Sequence, residues 1–330
     1  MFTRRQFMLA PLLLSACGVR DQAKTRPLFA ADTHPDEYPT VQALHAIDRM
    51  LDERTNGEMR IRIYAGGQMG AEKDTLEITV FGGLDLNRVN LAPLNSIVPE
   101  TIVLALPFLF RSIPHLRATL DGSTGRKILD AMSAQGLHGL CYYDSGARSF
   151  YNTKRPVRTP DDLAGLKLRV QNSDIYVAMV QALGANPTPI PYGEVYQALV
   201  QGVVDGAENN WPSYESARHF EAAPYYSLTR HVMAPEVLVA SQRRWDRMTT
   251  EEQDYLQTAA YDSVPIMREI WDARVDAARS RLIASGVQVV EDVDGAAFAA
   301  LMLPVWDRFL TAPKIRALAD EIVALEVADE

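Results

Sequence analysis

Residues 161–210 read DDLAGLKLRVQNSDIYVAMVQALGANPTPIPYGEVYQALVQGVVDGAENN. Leu166–Val170 reads as a strand, Ser173–Leu183 as a helix, Tyr192–Gln201 as a second helix and Val203–Glu208 as a strand. Strands separated by helical patterns need crossover connections, and crossovers build a largely parallel sheet. This stretch alone predicts an α/β fold.

The alternation extends in both directions. Upstream, Leu28–Ala31 reads as a short strand and Tyr38 to Leu51 as an amphipathic helix. In Met59–Tyr64 the apolar Met59, Ile61 and Ile63 fall on one face and Arg60 and Arg62 on the other, which is the period of a strand. Gly66, Gly67 and Gly70 break the chain before a helix from Glu72 to Phe81, and Leu86–Leu91 and Gly139–Tyr143 are further strands. A second series of elements begins near Ser149. Downstream, Glu236–Ala240 is a strand, and a helical pattern with Glu251 and Glu252 in its first turn runs from Thr250 to about Ala284. A helix of that length exceeds one compact lobe and is suited to bracing two. No internal repeat or low-complexity tract interrupts the series.

The chain has 330 residues, 47% hydrophobic and 23% charged, which is ordinary globular composition and enough to build two lobes. Its formal net charge of −9 argues against a nucleic-acid partner and against a polybasic grip on a membrane. Any bound anion must therefore be held by a local cluster of positive groups.

Near the N-terminus Arg4 and Arg5 precede a short apolar run, Phe7 to Ala16, that ends in LLLSAC. A basic region followed by an apolar segment too short to span a bilayer is an export signal, here residues 1–16. Thr3–Phe7 resembles a twin-arginine motif, although the general secretory route stays open. Leu14-Ser15-Ala16-Cys17 resembles a bacterial lipobox, which makes Cys17 the acylated residue and the polar residues 17–27 a tether. The alternative is an ordinary cleaved signal. Beyond it, the longest apolar candidate, Thr101 to Phe110, is too short to span and contains Pro107. Cys141, the other cysteine, lies in an apolar stretch and reads as a small buried hydrophobe, with no disulfide expected.

The quoted stretch closely resembles the signature of the DctP-type substrate-binding proteins of tripartite ATP-independent periplasmic (TRAP) transporters. The resemblance continues through GGQMGAEKD (66–74), LPFLF (106–110), YYDSGARSFY (142–151) and HVMAPEVLVAS (231–241), so it covers nearly all of the chain after the signal. It implies a two-lobed α/β binding protein of the flytrap type, with crossing strands and a long bracing helix. On that reading, residues 28–146 and about 235–275 form lobe I, and residues 147–234 and about 276–330 form lobe II.

The resemblance also implies a site. The arginine ending the Lys167-Leu168-Arg169-Val170 strand matches the family residue that clamps the ligand carboxylate. The chemistry fits, because a guanidinium offers two parallel charge-assisted donors and an ammonium does not. Arg148 matches a second position that helps hold the anionic end; a structural ion pair is the alternative. Asn209 matches a family asparagine that reaches the ligand, and an amide both donates and accepts. Glu208 and Asp205 beside it read as structural, since a carboxylate facing a carboxylate ligand is repulsive. Glu72, His34, Asn90, Gln171 and Asn172 are further pocket candidates, and Trp211 is either an apolar wall or a core residue.

No GxSxG, HExxH, CxxC, GxxxxGK[ST] or GxGxxG pattern is present, so binding without catalysis is expected, with no cofactor or metal. The implied role is an extracytoplasmic, periplasmic subunit that passes a small carboxylate ligand to TRAP membrane permease subunits, itself held to the membrane by a lipid anchor. YYDSGARSFY, RVQNSD and PYGEVYQALVQGVVDGAENN look closest to the members that bind sugar acids such as glucuronate and galacturonate. A C4-dicarboxylate-binding subunit and a ligand-binding sensor are the alternatives.

Overall fold

The computed structural model describes residues 26–327; the export signal and Cys17 lie outside the described residues. The strands are β1 (Leu28–Ala31), β2 (Ile61–Tyr64), β3 (Leu86–Asn90), β4 (Leu137–Tyr143), β5 (Arg148–Asn152), β6 (Lys167–Val170), β7 (Asn186–Pro189), β8 (Gly206–Asn209), β9 (Tyr225–Val232), β10 (Glu236–Ser241) and β11 (Gln288–Val290). They form two sheets, a five-stranded one in the order β2-β1-β3-β10-β4 and a six-stranded one in the order β11-β9-β5-β8-β6-β7.

Each sheet departs from the expected parallel pattern at one strand. In the first, β10 runs antiparallel to β3 and β4; in the second, β5 runs antiparallel to β8 and β9. These are the strands that enter a lobe directly from the other one. The chain leaves β4 at Tyr143 and begins β5 at Arg148, then leaves β9 at Val232 and begins β10 at Glu236. A strand arriving without a helical crossover has no reason to run parallel. The lobes are thus joined by two short crossing segments.

A third connection is the helix Thr250–Ala284, opened by a reciprocal cap in which Thr249 Oγ1 accepts from the Glu252 N–H at 3.2 Å and Glu252 Oε2 accepts from the Thr249 N–H at 2.7 Å. Leu256, Ala260, Met267 and Trp271 on this helix lie in the first lobe's core, while Ala278 and Leu282 lie in the second's. No helix among the described residues is long and apolar enough to cross a membrane.

The C-terminal segment does not stay with the second lobe. β11 completes the second sheet, but the helix Pro313–Val323 returns to the first lobe. There Arg111 donates to the carbonyls of Val323 and Leu325, and Lys127 pairs with Glu321 at 2.8 Å. The expected assignment of residues 276–330 wholly to lobe II therefore fails for this last helix, whose partners lie some two hundred residues upstream.

Two local features differ from the sequence reading. Tyr192–Gln201 is a 3-10 turn over Tyr192–Glu194 followed by a helix over Val195–Val200. The strand expected from Val203 starts at Gly206, where a β-carbon would lie 2.3 Å from the Tyr151 carbonyl oxygen of β5. Only glycine admits that approach.

Candidate functional site

The carboxyl ends of the parallel strands in both lobes converge on one cleft, where ligand sites of open α/β sheets form. A cavity of about 280 Å³ lies there. From the first lobe it is lined by Thr33 beyond β1, by Gly66, Gly67 and Gly70, and by Glu72 and Lys73 at a helix start; from the second, by Arg169 and Gln171 at the end of β6, by Asn172, and by Ile190–Glu194.

The glycine turn is tied to the end of β1. The Gly66 N–H donates to the His34 carbonyl at 2.6 Å and the Gly67 N–H to the Asp32 carbonyl at 3.1 Å. Both glycines have left-handed φ, 68° and 71°, which a side chain would strain. This turn delivers Glu72 to the cavity at the start of the helix Glu72–Val80.

On the opposite wall Arg169 is 2% exposed. Its Nε donates to the Ile190 carbonyl at 2.7 Å, and no carboxylate lies within ion-pair distance among the described residues. Among the described residues its Nη1 is buried without a partner, as is Oε1 of neighbouring Gln171. Burial pulls the Arg169 guanidinium below its usual pKa, with the more distant Glu208 pulling the other way. A buried cation and a buried acceptor, both unsatisfied on one wall, are matched to an anion that also carries donors.

Arg148 is differently occupied. Its Nη2 donates to Glu208 Oε1 at 2.8 Å and its Nη1 to Asn209 Oδ1 at 2.8 Å, and neither Arg148 nor Asn209 is part of the cavity wall. Asn209 Oδ1 also accepts from the Asn210 N–H at 2.9 Å. The structural ion pair is the arrangement found for Arg148.

Three other candidates also sit away from the wall. His34 is buried behind it, stacked on Tyr38 with ring centroids 3.8 Å apart and with Nδ1 2.7 Å from Arg88 Nη2. Asn90 is turned inward, its Oδ1 accepting from the Ala92 N–H at 3.0 Å and its Nδ2 donating to Glu236. Trp211 stacks on Tyr226 at 4.0 Å and lines a separate cavity beside Trp271, behind the first crossing segment.

Sequence reasoning missed Arg88, whose guanidinium is fully enclosed and paired with Asp32, Glu72 and Glu236. Burial alone would raise the Asp32 carboxyl, but Arg88 and His34 hold it well below the usual range. The signal was present: an arginine inside Leu86–Asn90, a strand that burial on both faces makes a costly place for charge. Tyr192 also lines the wall, because its segment, which the sequence predicts as regular helix, opens with a 3-10 turn. Cys141 is buried, as expected, with its thiol pushed up to about 12 by burial.

Residues 30–312 match the family described as bacterial extracellular solute-binding protein, family 7. Among solved structures, a TRAP periplasmic solute-binding protein from Bradyrhizobium in complex with galacturonate is 50% identical, with a TM-score of 0.90 over 91% of this chain and all of that one. One from Xanthobacter autotrophicus, bound to β-D-galacturonate, is 47% identical with a TM-score of 0.89 over the same shares. One from Chromohalobacter salexigens, bound to D-glucuronate, is 40% identical with a TM-score of 0.88 over 90% of this chain and 99% of that one.

Proposed function

The chain belongs to family 7 of the bacterial extracellular solute-binding proteins, and from that premise we propose that it captures a hexuronate, galacturonate or glucuronate, and passes it to the membrane permease of a TRAP transporter. One observation carries the reading: Arg169, buried and without a carboxylate partner, on the wall of a cavity between the lobes. The ligand carboxylate completes the Arg169 ion pair as a two-pronged, charge-assisted contact. The ligand hydroxyls meet neutral or anionic partners, Gln171 and Asn172 on the second lobe and Glu72 on the first.

The galacturonate and glucuronate of the similar structures support this ligand class over C4-dicarboxylates. The protein acts by binding and release, without catalysis. It works outside the cytoplasm, anchored through an acylated Cys17.

A thermal-shift screen tests the ligand class. A ligand that binds only the folded chain raises the melting temperature by mass action, by about 2.7 kcal/mol of stabilisation at a hundredfold excess over Kd. Galacturonate or glucuronate should give the largest shift in a panel with succinate, malate and fumarate. A larger shift from a C4-dicarboxylate would reverse the assignment.

A further inference from the structure

The two walls of the cavity differ in charge. The second lobe presents Arg169, a cation with no carboxylate in ion-pair distance among the described residues. The first presents Glu72, whose Oε1 accepts from Arg88 Nη1 at 3.1 Å and from the Asn90 N–H at 3.0 Å. The carboxylate contacts of Glu72 among the described residues all go to Oε1, which leaves Oε2 able to accept from a ligand.

Arg88 cannot offer a cation to a ligand. Its side chain is fully buried; Nε donates to Asp32 Oδ2 at 2.8 Å, Nη1 to Glu72 and Glu236, and Nη2 to Asp32 and to Thr33 Oγ1 at 3.0 Å. Arg88 faces three carboxylates, Asp32, Glu72 and Glu236, and His34 Nδ1 lies 3.1 Å from Asp32 Oδ1; even with His34 charged, the carboxylates outnumber the cations and this wall stays negative. Lys73 and Glu194 also line the cavity, but both are exposed and of opposite sign, so solvent screens them and they largely cancel.

We propose that Glu72, positioned by Arg88, is the specificity determinant that confines the site to singly charged polyhydroxy acids and rejects dicarboxylates. The inference rests on the hexuronate reading and extends it. A ligand whose carboxylate sits on Arg169 directs its far end toward Glu72. A hydroxyl there donates a proton to Oε2. A second carboxylate brings only acceptors and a like charge into a site with little water, where repulsion between charges is strong. Burial already pushes the Glu72 carboxyl above its usual range; Arg88 draws it back and Glu236 pushes it further up.

Calorimetric titration of the full mature chain with galacturonate and with galactarate, the diacid of the same sugar, tests this. Wild type should bind galacturonate and bind galactarate at least about tenfold more weakly, the minimum that one like-charge contact of this kind implies. Glu72→Gln should shift the ratio toward galactarate by a similar factor, while Glu72→Asp, which keeps the charge, should leave galactarate excluded. Wild-type affinities within threefold of each other would overturn the proposal, and this needs no variant to fold. An unchanged ratio in Glu72→Gln would overturn it too. Failure of wild type to bind galacturonate or glucuronate at all would instead remove the hexuronate reading, and this inference with it.

Discussion

Arg148 Nη2 donates to Glu208 Oε1 at 2.8 Å between the adjacent antiparallel strands β5 and β8, and the two side chains are 1% and 0% exposed. Burial raises the Glu208 carboxyl, but Arg148, with His231 beside it, overrides this and brings the pKa down to about 2 from an ordinary 4.5. Between those values the unfolded chain binds more protons than the folded one. Stability is therefore present above about pH 4.5 and lost as pH falls toward 2, by on the order of 3 kcal/mol. Glu208→Gln leaves Arg148 buried without its partner and should cost about 3–5 kcal/mol at pH 7. Urea denaturation at pH 7 and pH 3 measures both. The gap between wild type and variant should narrow at pH 3; an equal gap at the two values would mean that another group carries the acid sensitivity.

The anchor is tested by mass. If Cys17 is acylated, the membrane-extracted protein should exceed the mass of the polypeptide from Cys17 by the lipid, and Cys17→Ser should accumulate unprocessed or soluble. Two or three acyl chains hold a protein at a bilayer without a spanning helix. A mature N-terminus beyond Cys17 would refute the assignment.

Closure has named contacts. Ser173 Oγ donates to Asn95 Oδ1 at 2.9 Å between the lobes, and Tyr38 Oη meets Ser213 Oγ at 2.8 Å. Contacts formed only when the lobes meet stabilise the closed state, so their loss weakens ligand binding without touching the ligand. Ser173→Ala should lower affinity about two- to tenfold, in line with one neutral hydrogen bond of 0.5–1.5 kcal/mol. Small-angle scattering should show a smaller radius of gyration with saturating hexuronate than without. An unchanged radius, with binding proven by calorimetry, would mean a rigid pocket.

Legibility in the sequence followed the range of the interactions. The strand Leu28–Ala31 and the helix Thr250–Ala284 were readable because an apolar pattern and acids in a first turn are local signals. The strand that carries Arg169 was readable because it sits in a long, ordered run of motif residues. The Arg88 cluster was not, since Asp32, Glu72 and Glu236 lie on separate elements and meet only when β3 pairs with β1 and β10. The partner of Arg148 was hidden in the same way, one strand over on β8. Strand β7, Asn186–Pro189, escaped notice because its two prolines argue against a strand, and a sheet edge is where they are tolerated.

Arg169 gives the sharpest test, since stability and affinity should move apart. In wild type its charge is desolvated with no counterion among the described residues, so Arg169→Ala removes an unfavourable burial as well as some packing. The ligand-free melting temperature should change little. Affinity should not survive: truncating one partner of a buried charged pair costs about 2–5 kcal/mol, a fall of at least ~30-fold. Arg169→Lys should recover part of the loss, because the charge remains while the second parallel donor is gone. Calorimetry and melting curves on both variants with galacturonate decide it. Near wild-type affinity in Arg169→Ala would put the carboxylate elsewhere. Arg148 is engaged by Glu208 and Arg88 by three acids, which among the described residues would leave Lys73 as the remaining cation on the cavity wall.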